Sequence, residues 1–265
     1  MVWSFFAVGL LIGSFLNVCI LRIPQGTFWA SARSQCPTCQ QVIPAWFNIP
    51  VLSFLWLRGR SRCCQTRISW QYPVVELLTG ILFAFIYTRF PFWEFSTFYF
   101  SISNLIRFFH GVIFFSVLLV CLGIDMRHHI IPDVLSLPMI LLSVPVFLVH
   151  PELTWKSSLI GIVAGGGVIY LIAWSYFLIR KEEGIGFGDA KLLAAIGGWL
   201  GYQAVLPTLL LASVIGSILG IGIVFFQAVG TRKFVVQSSL RMEIPFGPFL
   251  VVGAFLYFFF DLPYV

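Results

Sequence analysis

Long apolar stretches separated by short polar segments dominate the pattern along this chain. A stretch of about 20 residues is long enough to cross the hydrocarbon core of a bilayer. Such stretches cover residues 2–21, 73–90, 105–124, 131–149, 157–179, 204–228 and 245–262, and a shorter one runs from Asp189 to residue 201. The pattern predicts an all-α polytopic membrane protein with about eight transmembrane helices.

The composition agrees with a chain that lies in a bilayer. Hydrophobic residues make up 59% of the sequence and charged residues 10%, whereas about a quarter of the residues in a soluble domain are charged. The net charge of +6 comes from basic residues in short segments between apolar stretches. They act as topology determinants rather than as a nucleic-acid patch, so the lipid bilayer is the expected partner and nucleic acid is not. Residues 2–21 resemble a retained helix more than a cleaved signal.

The basic residues also predict the orientation, because Lys and Arg near span ends favour the cytoplasm. With residue 1 outside and eight spans, only Arg89, Arg107 and Lys156 lie on the outer side. The other thirteen of the sixteen Lys and Arg lie in the cytoplasm: Arg22, Arg33, Arg58, Arg60, Arg62, Arg67, Arg127, Arg180, Lys181, Lys191, Arg232, Lys233 and Arg241. An odd number of spans would divide this majority, so the charges favour eight.

The spans define three regions of the chain. Residues 1–21 form the first transmembrane helix, residues 22–72 form a cytoplasmic loop domain with a cysteine motif, and residues 73–265 form a helical membrane domain. Glycines four residues apart, Gly161 with Gly165 and Gly216 with Gly220, are expected to let helices approach closely in lipid.

Four of the ten acidic residues stand at or within the predicted spans. Asp125 ends an apolar run, Asp133 follows Pro132 at the start of the next helix, and Glu76 lies inside the second span. Asp189 closes a glycine-rich stretch with Gly184, Gly186 and Gly188. Ionisable groups at such positions are costly and are functional candidates by default.

Asp125 and Asp189 are predicted at the same depth on the same face of the membrane. Two carboxyl groups a few Å apart share one proton, so that one acts as general base on a water and the other as acid. This is the chemistry of peptide hydrolysis by an aspartic peptidase. The glycines before Asp189 would let backbone pass close to the scissile peptide.

Rival chemistries lack their residues. The sequence contains no GxSxG elbow, no HExxH helix and no P-loop. His128 and His129, which follow Asp125, are interpreted as interfacial structural residues, because adjacent histidines do not face the same way on a helix.

Several motifs in one order resemble the type IV prepilin peptidases, the leader peptidase and N-methyltransferase enzymes of the GxGD aspartic class. The resemblance covers nearly the whole chain. Its motifs are GSFLNV at 13–18, CPTC at 36–39, NIPVLSFLWLRGR at 48–60, ISWQYPVVELLTG at 68–80, ID at 124–125, IPD at 131–133, EGIGFGDAKLLAAIG at 183–197 and PFGP at 245–248.

The resemblance implies a multi-pass protein of the bacterial inner membrane, with its active site facing the cytoplasm. Asp125 and Asp189 correspond to the catalytic aspartates. Substrates would be prepilins or pseudopilins, cut after the glycine that ends a basic leader, and many members then methylate the new N-terminus with S-adenosylmethionine. Asp133 has a supporting role in this reading, and Glu76 and Lys191 either position substrate or cofactor or serve structure and topology.

The cysteines of the loop depart from the family pattern of two CxxC pairs. Cys36 and Cys39 form the first pair, but the second reads Ser61-Arg62-Cys63-Cys64, with serine at the leading ligand position. Two such pairs about twenty residues apart would indicate tetrahedral zinc. We expect Cys36, Cys39, Cys63 and Cys64 to bind Zn²⁺. The alternatives are a metal site that has been lost by sequence drift, or thiols that are oxidised. A reducing cytoplasm disfavours oxidised thiols.

Three alternatives to a bifunctional prepilin peptidase stay open. The altered cysteine motif allows a peptidase without methyltransferase activity. An archaeal preflagellin-type enzyme would cut another exported substrate, although the long cysteine loop favours the bacterial branch. A transporter or a non-catalytic membrane component of a secretion machine would use the acidic residues for ion coupling or packing.

Overall fold

The computed structural model describes residues 1–28, 36, 38–94, 99–146, 153–181, 186–230 and 245–260. Within these residues the fold is helical, apart from one antiparallel pair of two-residue strands. The elements are α1 (Val2–Arg22), α2 (Leu52–Trp56), α3 (Gln71–Arg89), β1 (Trp93–Glu94), β2 (Tyr99–Phe100), α4 (Ile102–His128), α5 (Asp133–Val146), α6 (Trp155–Arg180), α7 (Phe187–Leu200), α8 (Val205–Gly230) and α9 (Gly247–Phe259). The prediction of an all-α polytopic membrane protein is confirmed.

The chain divides into two compact units, Met1–Ile124 and Asp125–Val265. In the first unit, α1 packs along α3 through small residues. A Cβ on Gly9 would lie 2.7 Å from the Thr79 carbonyl oxygen, and one on Gly13 would lie 2.7 Å from the Glu76 Cα. Asn17, buried on α1, donates to the Tyr72 carbonyl at 3.1 Å. These contacts bring the two helices to backbone distance.

In the second unit, α7 is the central helix and packs against α5, α6 and α9. Ala190 and residues 192–200 of this helix are buried, and Lys191 between them is partly exposed. Gly161 and Gly165 of α6 lie directly against the backbone of α7, at Gly197 and Leu193, so the predicted role of this glycine pair is confirmed. Gly216 instead faces the Phe249 ring, 3.2 Å from the position of its Cβ.

Side-chain hydrogen bonds join the same helices across their apolar surfaces. Ser158 donates to the carbonyls of Ser143 and Gly198 at 3.2 and 2.8 Å, and Trp199 Nε1 donates to the Met139 carbonyl at 2.8 Å. Interhelical hydrogen bonds of this kind contribute about 0.6 kcal/mol each in a membrane. They fix the register of α7 between α5 and α6.

Within the described residues, five helices are long and apolar enough to cross a bilayer: Val2–Arg22, Gln71–Arg89, Ile102–His128, Trp155–Ile179 and Tyr202–Ile223. Each coincides with a predicted span. The other three predicted spans correspond to α5, α7 and α9, which are 14, 14 and 13 residues long. A helix of that length rises only about 20 Å, so crossing by these three stays a prediction. Two prolines, Pro138 and Pro145, lie within α5.

Candidate active site and cysteine cluster

Asp125 stands near the C-terminal end of α4, where the helix leaves its apolar stretch. The residue is 5% exposed. The helix stops just beyond it, where His129 takes a left-handed φ of 54° and its N–H donates to the Asp125 carbonyl at 2.9 Å. Among the described residues, Oδ2 of the carboxyl group is buried without a hydrogen-bond partner. The backbone of Gly247 and the ring of His129 interact electrostatically with this carboxyl group.

The start of α9 lies directly against this carboxyl group. A Cβ on Gly247 would be 2.5 Å from Asp125 Oδ2 and 3.3 Å from Ile131 Cδ1. Pro248, which needs no amide partner, follows in the first turn of the helix. Glycine is therefore the residue that fits between α9 and the Asp125 carboxyl group.

Asp189 lies in the first turn of α7, where its backbone N–H donates to the Gly186 carbonyl at 3.1 Å. Its side chain is half-buried, and it stands close enough to Asp125 for the two carboxyl groups to interact electrostatically. Ile131 packs beside both, since it contacts the positions of Gly188 and Gly247. The structure thus brings together the two aspartates that the sequence singled out.

The two described glycines before Asp189 differ in their surroundings. A Cβ on Gly188 would lie 3.1 Å from the Cβ of Ile131, which is tighter than ordinary contact. A Cβ on Gly186 would meet Asp189 Oδ2 at 3.8 Å, an ordinary van der Waals distance. Steric need for glycine is therefore greater at Gly188. Glu183 and Gly184, also part of this motif, lie outside the described residues.

Asp133 and Lys191 form an ion pair that joins the first turn of α5 to α7. Their side chains are 58% and 36% exposed. An exposed pair contributes at most about 1 kcal/mol to stability. The carboxylate of Asp133 is therefore neutralised by Lys191 rather than joined to the aspartate pair.

Glu76 lies in the first unit, on α3, and is 6% exposed. Its Oε2 accepts a hydrogen bond from the backbone N–H of Val51 at 2.8 Å. Val51 takes a φ of 59°, which is rare for a β-branched residue. Glu76 thus holds a strained turn of the loop against α3.

The four loop cysteines come together in the first unit. Their Sγ atoms all lie within 4.8 Å of one another, with 3.6 Å from Cys36 to Cys64, 3.1 Å from Cys39 to Cys63 and 3.8 Å from Cys63 to Cys64. Tetrahedral Zn–S bonds of about 2.3 Å require sulfur atoms about 3.8 Å apart. The donor set therefore fits a zinc ion, with Cys63 completing it. Ser61 Oγ lies 2.9 Å from Cys63 Sγ.

Hydrogen bonds to the sulfurs shift the pKa values of the cysteine thiols in different directions. The backbone N–H of Cys39 is the main cause that lowers the pKa of Cys36 to about 5, and the Thr66 hydroxyl lowers the pKa of Cys64. The neighbouring Cys63 thiol raises the pKa of Cys39 to about 12. The lowered pKa values favour the thiolate, the form that binds a metal, at Cys36 and Cys64.

Comparison with known proteins decides the family. The profile described as "Bacterial Peptidase A24 N-terminal domain" matches residues 7–90, and the profile described as "Type IV leader peptidase family" matches residues 112–221. A prepilin leader peptidase/N-methyltransferase of Aeromonas salmonicida is 34% identical over 284 aligned residues, which cover 96% of this chain and 90% of that protein. The chain belongs to the type IV leader peptidase family.

Other leader peptidases show the same extent of similarity. Proteins with that printed name are 34% identical in Xanthomonas campestris, covering 95% of this chain and 88% of the relative, and 35% identical in Burkholderia pseudomallei, covering 97% and 84%. No solved structure matches the chain. The expected family is confirmed, and the chain is a multi-pass membrane protein.

Sequence reasoning missed two contributors to the site of this leader peptidase. Gly247 stood within a quoted motif, PFGP, yet its closeness to Asp125 depends on where α9 begins in space. Ile131 carried no chemical signal, because an apolar residue before Pro132 is ordinary in a membrane protein. The IPD motif that contains Ile131 was the available hint.

Proposed function

We propose that this chain is an aspartic prepilin leader peptidase that uses Asp125 and Asp189 as its catalytic pair. The observation that carries the proposal is the buried carboxyl group of Asp125 beside Asp189, under a glycine that leaves no room for another side chain. Membership in the leader peptidase family supports the same reading.

The reaction follows from one proton shared between the two carboxyl groups. The ionised carboxylate takes a proton from a water as the water oxygen bonds to the scissile carbonyl carbon. The protonated carboxyl group gives its proton to the carbonyl oxygen. When the C–N bond breaks, the departing nitrogen takes up a proton from one carboxyl group of the pair, and a hydroxyl of the diol gives its proton to the other carboxylate as the carbonyl re-forms. This leaves a carboxylic acid and a free amine. The pair returns to its starting protonation.

The substrates we propose are prepilins or pseudopilins, cut after the glycine that ends a basic leader. The relatives carry prepilin in their names. The excess of Lys and Arg predicted on one side of the membrane supports a site that faces the cytoplasm in a bacterial inner membrane. A non-catalytic secretion component, the rival reading, needs no pair of adjacent carboxyl groups.

Supporting roles go to residues around the pair. Gly188 lets α7 begin close to Ile131, and Gly186 begins the turn that carries Asp189. The Asp133–Lys191 ion pair holds the starts of α5 and α7 together. Glu76 serves the loop of the first unit through Val51.

A second activity, methylation of the new N-terminal amine with S-adenosylmethionine, is proposed from the names of the relatives. The fit of the four sulfurs around one tetrahedral centre also supports a structural zinc ion on Cys36, Cys39, Cys63 and Cys64. Zinc would fix residues 22–72 as a loop domain, between the first helix at 1–21 and the peptidase domain at 73–265. An intact cluster favours the bifunctional enzyme over a peptidase alone.

Co-expression with a prepilin tests the catalytic assignment. We expect Asp125→Ala and Asp189→Ala to accumulate uncut prepilin, and Asp133→Ala to retain measurable cleavage, because only the first two belong to the pair. Mass spectrometry of the mature pilin then reports whether one methyl group is present on its N-terminus. Normal release of mature pilin by either of the first two variants would make the assignment wrong.

Metal analysis of the purified chain tests the zinc site. We expect one equivalent in the unchanged chain and in the matched control Ser61→Ala, and a strong loss in Cys64→Ser. Because zinc binds thiolates and displaces their protons, zinc should stay at neutral pH and leave on acidification. A folded chain without zinc at neutral pH contradicts the site.

A further inference from the structure

The short helix α2 presents an apolar face that no described residue of the first unit covers. Leu52, Leu55 and Trp56 stand at i, i+3 and i+4, which places them on one side of the helix. Their side chains are 62%, 64% and 86% exposed. Trp46, in the turn before α2, is also exposed. We call Leu52, Leu55 and Trp56 the α2 face.

The opposite side of α2 is fixed to the protein. Ser53 Oγ donates to the Trp46 carbonyl at 3.5 Å. The Phe54 ring packs on Trp70 at a centroid distance of 4.9 Å and lies over Gly59, where a Cβ would be 3.2 Å away. Trp70 directly precedes α3, so α2 is attached at the entrance of a membrane-spanning helix.

The hydrogen bond from Val51 to Glu76 sets the depth of α2. Glu76 is five residues inside α3, which corresponds to about 7.5 Å along the helix axis. Since the Val51 N–H reaches its carboxyl group at 2.8 Å, α2 begins at the level of the first turns of a transmembrane helix. The Leu55 N–H donates to the Val51 carbonyl at 3.0 Å and the Ser53 N–H to the Ile49 carbonyl at 3.1 Å, and local bonds of this kind are what a lipid environment requires of a backbone.

The charge that follows α2 is entirely positive. Arg58, Arg60 and Arg67 are exposed, and Arg62 lies over the Phe47 ring at 4.5 Å. The sequence contains no acidic residue before Glu76. Basic side chains beside exposed Trp and Leu are typical of segments that lie on anionic lipid surfaces.

We propose that α2 is an interfacial helix, whose face enters the acyl region of the bilayer while the arginines after it bind anionic lipid headgroups. The loop domain is then held on the membrane along this edge. Residues 60–67 form a hairpin that leads away from α2: Arg60 pairs with Arg67 at its base, and the Gln65 N–H donates to the Ser61 carbonyl near its tip. The tip is expected to stand in water.

Photo-cross-linking of the full chain in nanodiscs tests the proposal. The probe p-benzoylphenylalanine replaces Trp56 in one sample and the exposed Gln65 in a matched control, in phosphatidylcholine with or without phosphatidylglycerol. We expect several-fold more lipid adducts at position 56 than at position 65, with a higher yield when phosphatidylglycerol is present. If the Trp56 variant does not fold, the same probe in place of Leu55 provides a second measurement of lipid adducts.

A charge variant separates the two parts of the proposal. Arg58→Gln, Arg60→Gln and Arg67→Gln together should abolish the dependence on phosphatidylglycerol, while adducts at position 56 remain. Equal lipid yields at positions 56 and 65 overturn the interfacial helix. Adducts at position 56 with another protein chain instead of lipid also overturn it, and they would identify a protein-docking surface. If phosphatidylglycerol does not raise the adduct yield at position 56 while all the arginines are present, the proposed headgroup contact is overturned.

Discussion

At the scale of single residues, the contact between Gly247 and Asp125 is the tightest constraint on the proposed site. The carboxyl oxygen occupies the space that any other side chain would need, 2.5 Å from the Cβ position. A larger residue must move either α9 or the carboxyl group. Displacing a catalytic group by about 1 Å can cost roughly 100-fold in rate.

Gly247→Ala is therefore expected to lower prepilin cleavage by about 10- to 100-fold. The physical reason is displacement of Asp125, so the variant should keep its fold. Cleavage rates of purified variants in detergent provide the measurement. Gly222→Ala is the matched control, because a Cβ there meets nothing within 4 Å. Normal activity of Gly247→Ala would show that the carboxyl group does not work from this position.

The candidate pair itself was predictable from sequence, and its surroundings were not. Asp125 and Asp189 stand out because a charge at the end of an apolar run is costly. The motif resemblance already separated Asp133 from the pair, but its ion pair with Lys191 is visible only in space. The distances that make Gly247 and Ile131 part of the site come from packing between segments far apart in sequence.

At the scale of elements, the contact of α6 with α7 shows how glycine spacing becomes packing. Gly161 lies against the carbonyl of Gly197, so the two backbones meet without side chains between them. This contact was predictable in kind, since small residues four apart favour close helices. Its partner was not, because spacing on one helix does not identify the facing helix. Gly9 and Gly13 on α1 were missed for the same reason.

Gly161→Ala is expected to destabilise the protein by about 1–3 kcal/mol, the usual cost of overpacking. The new methyl group would meet the Gly197 backbone, which cannot yield as a flexible side chain would. Unfolding in mixed micelles measures the difference. Gly167→Ala on the same helix has open space around its Cβ position and should leave stability unchanged or raise it. Equal stabilities for the two variants would contradict the packing.

At the scale of the whole molecule, the sequence predicted a polytopic helical protein because hydrophobic length and charge asymmetry are visible in one dimension. Five long helices agree with predicted spans. The shorter α5, α7 and α9 show why span counting is harder there, since 13 or 14 residues fall short of the usual length. The cysteine cluster was predictable because its members, Cys36, Cys39, Cys63 and Cys64, lie in a single loop that has only to fold back on itself.

Reporter insertions test the predicted orientation of the whole chain. Green fluorescent protein inserted after Gln65 should fluoresce and alkaline phosphatase there should be inactive, because this segment is predicted in the cytoplasm. After Phe100, between α3 and α4, the two reporters should behave in the opposite way. The reverse pattern at both positions would contradict the orientation derived from basic residues.

The central claim is that Asp125 and Asp189 act as one catalytic unit, and a double-mutant comparison tests it most directly. Single-turnover cleavage of a prepilin would be measured for the purified chain in nanodiscs, with Asp125→Asn, Asp189→Asn and the double variant. Groups that act together are strongly non-additive. The account predicts that each single variant loses nearly all activity and that the double variant loses no more. Near-normal cleavage by either single variant, or losses that simply multiply in the double variant, would contradict it.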